Sequence, residues 1–294
     1  MLKPFFLTTM VLATVSITYG QHHLIARPRH TIDVGAGFGR EQLDWSIAGN
    51  PNGQSPNILS ELVWDDLHGV DTWLRVETPV WRRMVLAADL SFMQTLSGHA
   101  RDTDYSGDNR TNKVFDIPFM SDRGYRLAYR AMAGYRLFGG HRFSSVAYLG
   151  YRWRAQRLLL LDDANLESTY RADWRGPLMK LSVGYRQRHL AYRAEASYGQ
   201  LRYGAVADWN LIDAFAHPKS FEHKAKGYCL DLSAQIRLFP RRRMHPAFFI
   251  DYGITRSGYG IDYLYLADGE IQLTQFNGVR GSSLSVGAGI TYSW

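Results

Sequence analysis

The stretch Leu284-Ser285-Val286-Gly287-Ala288-Gly289-Ile290-Thr291-Tyr292-Ser293-Trp294 alternates without a break. Its even positions are apolar or aromatic and its odd positions are small or polar. Successive side chains of an extended chain point to opposite faces, so this is a strand with one oily face and one polar face. The rhythm recurs upstream. In 125–137 the odd positions are Tyr125, Leu127, Tyr129, Ala131, Ala133, Tyr135 and Leu137, with Arg126, Arg130 and Arg136 opposite. In 228–238 the even positions are apolar, and Asp231, Ser233, Gln235 and Arg237 oppose them. Segments 147–153, 181–185, 192–198 and 248–254 behave alike. Both charge signs fall on the polar faces, as expected of an ion-paired lumen inside an apolar wall.

A last strand that stops on an aromatic residue resembles the carboxy-terminal strand of bacterial outer-membrane barrels. The other end of the chain agrees. Lys3, the apolar run from Phe5 to Val15, and the small residues Ser16, Thr18 and Gly20 read as a secretory signal peptide over 1–20. That run is well short of the ~20 residues that span a bilayer as a helix. The expected localisation is therefore the outer membrane of a Gram-negative bacterium, with 21–294 as one barrel domain. Mean hydropathy is −0.27, as it should be when only alternate residues meet lipid, and the 14% aromatic content suits interfacial girdles. The single cysteine, Cys229, excludes an intrachain disulfide. The formal net charge is +7. In an exported barrel it points to lipid headgroups and lipopolysaccharide phosphates, not to nucleic acid.

Turn signals alternate in length. Short breaks fall at 81–83, 139–142, 188–189 and 240–243, and longer polar stretches at 49–56, 97–122, 161–175, 207–226 and 266–282. Together they define an all-β fold: a single ten-stranded antiparallel transmembrane β-barrel, monomeric, with long extracellular loops. Segment 57–79 exceeds one membrane crossing and reads as one long strand with a bulge near Gly69, or as a strand plus a short extra hairpin.

Ten strands with five large outer loops resemble the omptin family of outer-membrane proteases. Glu41-Gln42-Leu43-Asp44-Trp45 and Leu62-Val63-Trp64-Asp65-Asp66-Leu67 are similar to early omptin strands. Gly98-His99-Ala100-Arg101-Asp102-Thr103-Asp104-Tyr105 is similar to the omptin loop that carries an aspartate pair followed by an aromatic. The text around Asp208-Trp209-Asn210 and Phe221-Glu222-His223 resembles the Protochlamydia-type outer-membrane proteins, an omptin-like group. The resemblance implies water attack on a peptide, with an aspartate pair on one side of a cleft and an aspartate–histidine dyad on the other. It implies no cofactor, but a requirement for lipopolysaccharide held near the outer interface.

By that carry-over Asp102 and Asp104 form the pair and His217 the base. Residues i and i+2 of an extended segment point the same way, and two close carboxylates raise one another's pKa. The family places an aspartate two residues before the histidine, where this chain has Phe215. Asp213, four residues back, and Asp208, nine back, are the carboxylates within reach, and His223 beside Glu222 is a second candidate base. A plain turn-rich loop or a weak calcium site also accounts for Asp102 to Asn109. The alternatives in function are a non-catalytic surface barrel whose loops bind a host or surface protein, and a small pore.

Overall fold

The computed structural model describes residues 30–162 and 166–294; the segment read as a signal peptide lies outside them. The chain runs β1 (Thr31–Ile47), β2 (Ser60–Trp81), β3 (Met84–Gly107), β4 (Thr111–Met120), β5 (Tyr125–Gly139) and β6 (Phe143–Leu161). It continues through β7 (Glu167–Arg186), β8 (Leu190–Asp208), β9 (Phe221–Leu238), β10 (Met244–Tyr265) and β11 (Ile271–Ser293). All pairings are antiparallel, and β11 returns to β1 with Ser293 opposite Thr31, so the sheet closes into a ring. β4 and β5 occupy a single place in the wall. β3 pairs with β5 from Met84 to Gln94 and with β4 from His99 to Gly107. Eleven segments thus make ten positions, and both ends of the described chain lie at the rim of short turns.

Most of the stretches expected as long loops are strand. Segment 97–122 is a β3–β4 hairpin that turns through the short 3₁₀ segment Asp108–Arg110, and much of 161–175 and 266–282 belongs to β7 and β11. Their outward faces mix polar residues such as Glu167, Arg171 and Gln272 with apolar ones such as Val114, Ile117, Ile271 and Leu273, so average polarity concealed the strands. What remains irregular is chiefly 48–59 and 209–220.

The wall has two zones of opposite polarity. Near the short turns its outer face is an apolar belt that includes Phe38, Leu149, Phe248 and Ile290, all exposed. The lumen behind it is charged. Arg126 bridges Glu41 at 2.9 Å and Asp71 at 2.7 Å, Arg130 pairs with Asp89, Arg152 with Asp231, and Arg75 with Asp251. Farther up, the lumen is an apolar plug that includes Trp45, Trp64, Tyr170, Trp174, Tyr203 and Phe276. Each large apolar side chain removed from water there contributes about 2 kcal/mol.

A bulge lets β2 and β3 serve both zones. Their register shifts between Asp65 and His68 and again between His68 and Gly69, and Asp66 adopts φ 48°, the left-handed region that short polar residues tolerate best. Below the shift Asp71 and Trp73 face inward, and above it Leu62 and Trp64 do. β3 changes phase at the same height, so that Ala100 and Asp102 are buried. Segment 57–79 is therefore one bulged strand with no extra hairpin. The plug fills the upper lumen with side chains: Trp64, Tyr170, Trp174 and Phe276 have 0% exposure.

Candidate functional site

The plug ends in a rim where the sequence candidates lie. Asp102 and Asp104 occupy the β3 extension, not a loop, opposite Leu62 and Ser60 of β2. Alternation turns both toward the lumen. Asp102 is buried and Asp104 half-buried. Burial, and secondarily the Asp104 charge, push the Asp102 carboxyl up to about 7, while the Ser60 hydroxyl and the Thr103 backbone pull the other way. Burial also raises Asp104, again against Ser60. Two close carboxylates, both raised and one of them to about 7, can hold one proton and orient a water molecule.

The tip above the pair is held in place. Arg110 grips Glu61 with two hydrogen bonds of 2.7 Å. The Asn57 backbone N–H donates to Asp108 Oδ1, and the Asn109 N–H donates to Asn57 Oδ1. The Asp108 carboxylate thus ties the β3–β4 tip to the β1–β2 connection. Among the described residues no group of three or more His, Cys, Asp or Glu converges as a metal site.

Across the rim, the β8–β9 connection folds back on itself. Ser220 Oγ accepts the Trp209 N–H and donates to the Ala216 carbonyl. Asn210 is tied to Ser168 Oγ and to the Glu167 carbonyl of β7. Phe215 bridges to Leu266, and the Ala216 N–H reaches the Tyr265 carbonyl. This path returns His217 to the end of β8, where its Nδ1 lies 2.7 Å from Asp208 Oδ1. Asp208 is therefore the carboxylate that the structure brings to His217. Asp213 is exposed in the intervening turn and forms no hydrogen bond or ion pair with it. No hydrogen bond or ion pair joins the histidine half to the aspartate pair among the described residues.

His223 is a structural residue. It points into the plug at 0% exposure, stacked on Phe276 at 4.3 Å and edge-on to Trp45 at 4.7 Å. Its Nδ1 meets Tyr170 Oη at 2.8 Å, its Nε2 lies 3.2 Å from Asp262, and Tyr170 in turn meets Tyr203. Alternation gave the signal for this, since His223 is in phase with Cys229 and Asp231 on the inward face of β9. Ser60 was missed in the sequence, because nothing local marks a hydroxyl that meets the pair only through β2–β3 register.

Among solved structures, the outer membrane protease OmpT from Escherichia coli matches with a TM-score of 0.69 at 10% identity, covering 90% of this chain and 97% of that one. That is a likeness of fold. The translocator domain of the autotransporter NalP from Neisseria meningitidis matches at 0.37 and 11% identity, covering 91% and 89%. OprG from Pseudomonas aeruginosa matches at 0.36 and 10% identity, covering 90% and 96%. These two scores are too low to bear on function or fold. No curated protein matches the chain. A family model described as Protochlamydia outer membrane protein matches residues 33–294.

Proposed function

Because this chain belongs to the Protochlamydia outer membrane protein family and is a barrel of the Gram-negative outer membrane, we propose that it is a surface endopeptidase that activates water at its outer rim. The observation that carries this reading is the Asp208–His217 contact of 2.7 Å. Asp208 accepts from Nδ1–H, which leaves Nε2 free to take a proton from water, and its charge stabilises the imidazolium that forms. Asp102, close to half-protonated at neutral pH, and Asp104 hold the water and share the proton that the peptide carbonyl requires. The OmpT-like fold supports this reading as an analogy of architecture.

The test is cleavage of a basic-peptide library by the refolded barrel in lipopolysaccharide-containing micelles. The native chain should cleave, and Asp208→Asn, His217→Ala and Asp102→Asn should each lower kcat about 10²-fold or more. Absence of cleavage by the native chain defeats the proposal.

A second reading, a non-catalytic barrel that binds a surface protein, rests on a different observation. Tyr259, Ile261, Ile271 and Leu273 are exposed on β10 and β11 above the lipid belt, where no bilayer covers them. It becomes the preferred function if the native chain is inert.

A further inference from the structure

The four short turns hold Arg82 and Arg83, Arg142, Arg188, and Arg241 to Arg243, and no aspartate or glutamate. These seven arginines equal the whole formal excess of +7. Lys3, Arg27 and Arg29 lie outside the described residues, and among those described the unopposed positive charge is concentrated on this rim. In outer-membrane barrels this rim faces the periplasm. Arg82 lies 5.2 Å from the Trp81 ring and Arg242 5.2 Å from the Phe239 ring. Both rings are exposed at the edge of the apolar belt, the level that interfacial aromatics occupy beside headgroups.

Inside the rim is a cavity of about 190 Å³, with Glu77 as its one carboxylate against Arg136, Arg142, Arg186, Arg193, Arg237 and His245. That carboxylate is already engaged by Arg193, and Asp33 nearby accepts from Arg237 at 3.1 Å. Arg136 and Arg142 have no carboxylate partner among the described residues. His245 is 3% exposed, and its Nδ1 has no hydrogen-bond partner. A buried polar atom ordinarily has one, so this nitrogen is available to an occupant of the cationic cavity.

We propose that this mouth and its arginine rim bind phosphate-bearing anions, and that the ligand is the headgroup of an anionic phospholipid of the inner leaflet. Guanidinium groups match phosphate oxygens two at a time. The paired charges deeper in the lumen offer no such surplus, so the anion stays at the mouth.

The test uses the mature chain refolded in zwitterionic micelles, with fluorescence of Trp81 and Trp294 at this rim as the signal. The probes are dihexanoyl-phosphatidylglycerol, dihexanoyl-phosphatidylcholine and inorganic phosphate. Phosphatidylglycerol should bind at least tenfold more tightly than phosphatidylcholine, and more weakly as salt shortens the screening length. The variant Arg142→Gln/Arg241→Gln/Arg242→Gln/Arg243→Gln should lose that preference. The control Arg101→Gln/Arg171→Gln/Arg202→Gln/Arg256→Gln, with the same loss of charge at the other end, should keep it. Heat-modifiable migration verifies that each variant is folded. Competition by inorganic phosphate supports the site but makes a soluble phosphate the ligand, whereas phosphatidylglycerol alone supports the lipid. Equal affinity for the two lipids, or an unchanged rim variant, overturns the proposal.

Discussion

Asp102 owes its behaviour to two causes, burial and the Asp104 charge, which the chain supplies from different distances. Asp104 is two residues away and legible in the sequence. The burial that dominates its shift comes from the closed ring and is not. Its carboxyl should titrate near pH 7 by carbon-detected NMR, and Asp104→Asn should move the midpoint down, because a like charge is removed while burial stays. The sign for stability follows from the raised value. The group leaves the fold undisturbed below about pH 4, where it is protonated in both states, and costs stability as pH rises toward 7. Asp102→Asn should therefore flatten the loss of hydrogen-exchange protection in the β3–β4 hairpin over that interval. His217 shows the opposite balance. The residue was identifiable, but its partner Asp208 lies nine positions back and is delivered by the loop path through Ser220 and Asn210.

At the scale of elements, the bulge at Asp65–Gly69 decides which side chains enter the plug. A one-residue slip sends every subsequent side chain to the other face. Deleting Asp66 should turn Leu62 and Trp64 outward and expose the upper hairpins to proteolysis, while the membrane-embedded strands keep their heat-modifiable migration. Trp64→Ala probes the same packing without altering register. It removes a fully buried ring and its Nε1 hydrogen bond to the Leu159 carbonyl, and should cost about 3–5 kcal/mol. The expected readout is lost exchange protection in β2, β6 and β7 above the belt. The bulged strand was visible in its excess length. The phase change was not, since alternation on either side of a bulge is equally regular.

For the whole molecule, charge and closure work together. Glu41 accepts from Arg154 at 3.2 Å and Gln156 at 2.7 Å and forms an ion pair with Arg126 at 2.9 Å, so Glu41→Ala leaves two buried guanidinium groups short of a counter-charge and should cost about 3–5 kcal/mol. With the plug above this network, planar-bilayer recordings of the native barrel should show no steady conductance. A stable open channel would contradict the sealed lumen.

The sequence by itself determined the architecture. Alternation is local, so strands, their lipid-facing sides, the short turns and their arginines could all be read along the chain, and only a closed barrel satisfies the backbone of such strands in lipid. Tertiary structure alone decided what the polar stretches outside the belt become. Strand extensions over an apolar plug, the burial of Asp102 and His223, and the union of Asp208 with His217 all depend on residues that meet only when the ring closes. Burial and pairing across a lumen are properties of the closed ring, which no local period encodes.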